Sequence, residues 1–142
     1  MPYNCWFQCI DPECAETMAL TEIVYTCPRC GGLLMVAHDV EALKNRSGPA
    51  WMKLFDDRYM TTEFPYGSGV WGKKEWVYPQ IEDDNIVSTN EGGSNLFWAY
   101  GFGDIIGLKH LWIKQAGNSH TGSFKDLGMT VLVSAVQQMI HE

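Results

Sequence analysis

The chain has 142 residues, enough for one ordinary domain, and with 46% hydrophobic and 19% charged residues it is globular rather than disordered. Its net charge is −7, and its ten lysines and arginines form no basic stripe, which argues against nucleic acid as a partner. No apolar run reaches the roughly 18 residues of a membrane span, and Met1-Pro2-Tyr3-Asn4-Cys5-Trp6 lacks the basic-then-apolar pattern of a secretory leader.

The expected compartment is therefore the cytoplasm, where five cysteines should be free thiols or metal ligands rather than disulfides. Composition divides the chain into residues 1–37, which hold every cysteine, a mixed region 38–88, and a region 89–142 in which apolar strands, Gly turns and helices alternate.

In the first region the spacing is Cys9-x4-Cys14, then twelve residues, then Cys27-x2-Cys30-Gly31-Gly32. Two close pairs separated by a hairpin-length segment form the ribbon layout for zinc. Each pair makes a knuckle offering two thiolates, and the hairpin folds one knuckle onto the other. The competing reading, buried or redox-active thiols, suits a lone Cys-x-x-Cys better than two pairs. Four ligands leave no open position, so such a zinc is structural, and Cys5 is left as an ordinary thiol. Glu22 to Thr26, β-branched and aromatic, reads as a ribbon strand.

In the middle region Asp39 to Asn45 reads as a short helix capped by Asp39 and ended by Ser47-Gly48-Pro49. Ala50 to Phe55 reads as a second short helix, Tyr66 to Gly69 as a loop, and Glu75 to Tyr78 as a strand stopped by Pro79. Gly67-Ser68-Gly69-Val70-Trp71-Gly72 fits the dinucleotide fingerprint G-x-G-x-x-G. Neither the required preceding strand nor the following helix is legible, so a nicotinamide site is rejected.

In the last region Phe97 to Ile106 reads as a helix stopped by Gly107, Leu108 to Lys114 as a strand, and Gly117 to Gly122 as a small-residue turn. Phe124 to Ile140 reads as a long helix, almost wholly apolar from Met129 to Val136 and hence expected to be buried. Together these suggest an α/β layer architecture.

Ser123 and Asp126, three apart before that apolar run, resemble a capping box, which puts Lys125 in the first helical turn. A cation is poorly placed there, because the helix N-terminus carries positive partial charge. The same field should lower the pKa of the amine, and a neutral amine is the form that attacks an aldehyde. On the residues alone, a surface lysine covering apolar neighbours with its stem accounts for Lys125 equally well. His120 reads as a loop or hydrogen-bonding residue rather than a base.

Ser119-His120-Thr121-Gly122-Ser123-Phe124-Lys125-Asp126-Leu127-Gly128-Met129-Thr130-Val131 resembles the cofactor-lysine segment of the threonine synthase family, especially its plant-like form. Glu91-Gly92-Gly93-Ser94-Asn95-Leu96-Phe97-Trp98-Ala99 and Pro65 to Trp76 resemble segments that precede that lysine in the family. The resemblance implies fold type II of the pyridoxal 5'-phosphate enzymes, a tryptophan-synthase β-like fold, here preceded by the zinc ribbon. It implies Lys125 as the Schiff-base lysine and, less directly, Ser94 and Asn95 facing the substrate. The implied reaction converts O-phosphohomoserine and water to threonine and phosphate, and a homodimer is the expected state of the complete enzyme.

The cysteine cluster is more reminiscent of microbial members than of the plant enzyme. The family's phosphate-binding Gly-rich loop lies well beyond the lysine, so the chain is expected to be an N-terminal fragment, inactive alone. Cysteate synthase, a related enzyme, and a non-catalytic zinc-ribbon binding fragment are the alternatives.

Overall fold

The computed structural model describes residues 3–142; Met1 and Pro2, which open the 1–37 module, lie outside the described residues. β1 (Cys5–Cys9) buries the cysteines at both its ends. It pairs antiparallel with β2 (Thr17–Met18) on one edge and β3 (Leu34–His38) on the other. The register sets Cys9 opposite Leu34 and Cys5 opposite His38. β3 thus leaves the Cys27–Cys30 knuckle beside Cys9. Gly31, at φ 75°, makes the left-handed turn that this requires.

The strand predicted over Glu22 to Thr26 is absent. That segment is irregular with bends, and Ile23 is 80% and Tyr25 90% exposed. β2 and β3 already occupy both edges of β1, and a β-prone sequence without a partner edge stays irregular.

Asp39 caps α1 (Val40–Leu43), its carboxylate accepting from Ala42 N at 2.9 Å. Ser47-Gly48-Pro49, expected to end that helix, opens the next one. Ser47 is the N-cap of α2 (Gly48–Arg58), and the proline occupies its first turn, where a missing N–H costs nothing. Trp51 and Phe55 of α2 pack on Trp76 at centroid distances of 5.5 and 4.9 Å.

Trp76 lies not in the expected strand but in α3 (Lys74–Val77). The chain is already winding there: Ser68 Oγ accepts from Trp71 N at 3.2 Å and a 3-10 turn, Trp71–Lys73, runs straight into α3. Trp71, Lys74 and Tyr78 then share one buried face. That helical periodicity overrides the strand propensity of Trp76-Val77-Tyr78. Trp71, fully buried, forms the main core with Cys5, Tyr78, Ile81 and Ile86.

Phe97 to Ile106, predicted as one helix, divides into β4 (Leu96–Trp98) and α4 (Tyr100–Ile106). β4 pairs antiparallel with β5 (Trp112–Lys114), setting Trp98 opposite Trp112. α4 ends at Gly107 in the left-handed conformation, as the sequence indicates.

α5 (Asp126–His141) is the long helix, but its burial is inverted. Thr130, Ser134 and Gln138 are buried, while Leu132 is 54% and Ile140 70% exposed. Val131 and Ala135 flank this polar spine and pack on the main core. The reason is the segment it lies on. Residues 82–87 pass through a short 3-10 turn, Asp83–Asn85, and the backbone groups on either side of that turn need partners outside it. Thr130 Oγ1 donates to Val87 O at 2.7 Å and accepts from Trp71 Nε1 at 2.9 Å. Ser134 Oγ accepts from Val87 N at 2.9 Å, and Gln138 Oε1 accepts from Glu82 N at 3.1 Å.

Thr130→Val keeps the shape but strands the indole N–H and leaves the Val87 carbonyl only the 3.4 Å bond from Ser134 Oγ. We expect a loss of roughly 2 kcal/mol or more, read as a lower urea midpoint, with Thr130→Ser retaining most of the stability.

Candidate metal centre and candidate active site

Cys9, at the end of β1, and Cys14, in the turn after it, meet Cys27 and Cys30 from the second knuckle. The four sulfurs lie within 4.8 Å of one another. Cys9 Sγ stands 3.5 Å from Cys30 Sγ, and Cys14 Sγ 3.7 Å from Cys27 Sγ. A tetrahedral zinc with bonds of about 2.3 Å sets its sulfurs roughly 3.8 Å apart, so the set has the size a zinc ion needs.

The electrostatics agree. The backbone of Asp11 pulls the Cys9 thiol down, but desolvation and three neighbouring sulfurs outweigh it and hold it at about 12. For Cys27 desolvation pushes up, while the backbone at Cys30 and Arg29 and the sulfurs of Cys14 and Cys30 pull it down to about 7. Crowded sulfurs cannot all ionise without a cation between them; a divalent ion removes that obstacle. Cys5 lies apart, buried, with Sγ donating to Gln80 Oε1 at 3.0 Å. Burial pushes its thiol to about 12, so it is inert.

At the head of α5 the backbone carbonyl of Lys125 accepts from Met129 N at 2.9 Å, placing Lys125 at the N-cap, one residue before the helix. The capping box is not formed. Asp126 reaches back past Ser123 to accept from Thr121 N at 2.9 Å and Thr121 Oγ1 at 2.7 Å. Those two bonds hold its carboxyl below the usual carboxylate range. They also fix the 119–125 turn on the helix it enters. Lys125 is exposed, and among the described residues its amine has no carboxylate partner. His120 is exposed beside it and lines a cavity of about 220 Å3 with Glu91, Thr121 and Asp126.

Ser94 and Asn95 lie in the loop that enters β4, Ser94 half-buried and Asn95 exposed. A residue to which the sequence assigns no role fixes this loop. The Glu91 carboxylate accepts from Ser88 Oγ at 2.6 Å and from Thr89 N and Oγ1 at 3.0 and 2.9 Å, while its carbonyl accepts from Ser68 Oγ at 3.0 Å. The spacing Ser88-Thr89-x-Glu91 was the available signal. The middle glycine of the rejected fingerprint, Gly69, serves the same contact. A Cβ on Gly69 would stand 2.0 Å from Gly93 N, so backbone packs directly on backbone.

Burial pushes Glu91 up, but the Ser88 and Thr89 bonds hold it below the ordinary carboxylate range. A group depressed in the folded state contributes stability above its unfolded pKa of about 4.3 and loses it as pH falls through the folded value. Glu91→Gln should therefore lower stability at pH 7 and flatten its acid arm below about pH 4, measured by denaturant midpoints across pH.

No family model matches the chain. Three relatives do. Threonine synthase 2, chloroplastic, of Arabidopsis thaliana is 56% identical over 129 residues, covering 90% of this chain and 25% of the relative. The chain is homologous to threonine synthases. The threonine synthase of Methanocaldococcus jannaschii is 36% identical over 127 residues and that of Methanosarcina acetivorans 33% over 129, each match covering 89% of this chain. The chain spans between 25% and 28% of the length of these threonine synthases. No helix among the described residues is long and apolar enough to cross a membrane.

Proposed function

We propose that this chain is the cofactor-lysine segment of a threonine synthase that converts O-phosphohomoserine and water to threonine and phosphate. The carrying observation is the exposed Lys125 amine at the head of α5, without a carboxylate partner among the described residues. Pyridoxal 5'-phosphate suits this site. The amine is free to join its aldehyde carbon, and Gly122, at φ 74° with open space where a side chain would stand, leaves the turn clear for a flat ring. When bound, the cofactor supplies an electron sink for carbanions.

The chain's own part is holding and proton transfer. Lys125 anchors the ring, then takes a proton from one substrate carbon and returns it to another. Asp126 and Thr121 keep the lysine-bearing turn in place. Ser94 and Asn95 face the substrate. Zinc at Cys9, Cys14, Cys27 and Cys30 is structural and ties the knuckles of a 1–37 ribbon. Residues 38–88 form an N-terminal region of helices and loops, and 89–142 begin the catalytic domain of a fold type II enzyme. The complete enzyme works as a homodimer in the cytoplasm, although the plant relative is named as chloroplastic.

Borohydride reduction of the chain with pyridoxal 5'-phosphate, followed by peptide mapping, tests this reading. Preferential label on Lys125 supports it. Label spread over Lys44, Lys53 and Lys109 in proportion to their exposure sinks it.

A further inference from the structure

Beside the Gly69–Gly93 contact lies a cavity of about 460 Å3 with an unusual charge for a chain of net −7. Its wall carries Lys73 and Lys114 and no carboxylate. Lys73 Nζ donates to Gly69 O at 3.2 Å, and Lys114 Nζ donates to Ser94 O. Because Gly69 packs against Gly92 and Gly93, both ammonium groups are anchored on one small junction of backbone. Neither takes part in an ion pair among the described residues, so neither charge is neutralised by protein.

The same wall holds further donors. Among the described residues the backbone N–H groups of Gly92, Gly93 and Ser94 donate to no protein acceptor. The left-handed glycines, φ 93° at Gly92 and 61° at Gly93, produce a turn that leaves those amides unused.

We propose that this cavity binds the phosphate of a small phosphate monoester, the phosphate end of the substrate. A carboxylate offers about four lone-pair sites, fewer than two ammonium groups, three amides and the Ser94 hydroxyl can fill. A phosphate dianion matches two lysines in charge and has three oxygens to accept from them. The phosphorylated substrate rests on the threonine synthase reading; the anion site itself does not.

Titration of the chain with inorganic phosphate, followed by 31P NMR, tests the site. Saturable binding is expected, weakened about tenfold or more by Lys73→Met and by Lys114→Met and unchanged by Lys109→Met. Circular dichroism checks that each variant is folded. Absence of saturable binding, or equal affinity in all three variants, overturns the proposal.

Competition identifies the source of the phosphate. Displacement by O-phosphohomoserine but not homoserine supports the substrate. Displacement by pyridoxal 5'-phosphate but not by O-phosphohomoserine overturns that assignment. Failure of the enzyme reading is distinguishable, because it leaves Lys125 unlabelled by borohydride while phosphate binding here persists.

Discussion

Chelating the metal from reduced protein is expected to unfold residues 3–38 and to release zinc in a one-to-one ratio to chain. The module has little else to hold it. Its buried apolar residues are Cys5, Cys9, Met18 and Cys27, and three of these are cysteines. Three short strands that reach the main core only through Cys5 and Leu20 are marginal in water. Structural zinc contributes on the order of 10–16 kcal/mol in comparable small modules, far more than that residue set can. Rebinding at pH 7 should release at least about two protons per zinc, because Cys9 and Cys14 are both held above the ordinary thiol value and must ionise to bind. Backbone amide spectra, dye-linked zinc release and a pH-indicator titration measure the three effects. Reduced, folded protein containing almost no zinc would refute the assignment, as would a chelated chain whose amide spectrum for residues 3–38 is unchanged.

Lys125→Ala is expected to remove nearly all activity from a chimera joining this chain to the remainder of the Arabidopsis relative. A group that both anchors the cofactor and moves the substrate proton acts twice, and loss of a positioned acid–base group alone costs about 10²–10⁴ in rate. Lys125→Arg should do no better, since a guanidinium stays protonated and cannot attack an aldehyde. The absorbance of protein-linked cofactor should vanish with both substitutions, and borohydride should leave no pyridoxyl group on residue 125. An active Lys125→Ala chimera, or a label mapping to Lys114, would overturn the role. Phosphate binding beside Lys73 should survive Lys125→Ala, because that cavity does not use the amine.

Several features were legible in the sequence because their cause is local. The two knuckles follow from cysteine spacing, the α1 cap from Asp39, the end of α4 from Gly107, and the long helix from its run of helix-compatible residues. The Lys125 segment stood out because a cation sits at the positive end of a helix. None of these needs knowledge of a distant partner.

What only the tertiary structure decided depends on partners far along the chain. Glu22 to Thr26 has the composition of a strand, but both edges of β1 were taken. Glu75 to Tyr78 became helical because burial of Trp71, Lys74 and Tyr78 selected a period near 3.6 over a period of 2. α5 buries Thr130, Ser134 and Gln138 rather than Leu132 and Ile140, because the backbone of residues 82–87, more than forty positions earlier, had hydrogen bonds to satisfy. The Lys73–Lys114 cavity likewise exists only because Gly69 can touch Gly93. Local sequence fixes what a residue can do, while the energy of burial and hydrogen bonding with remote segments decides which of those options is realised.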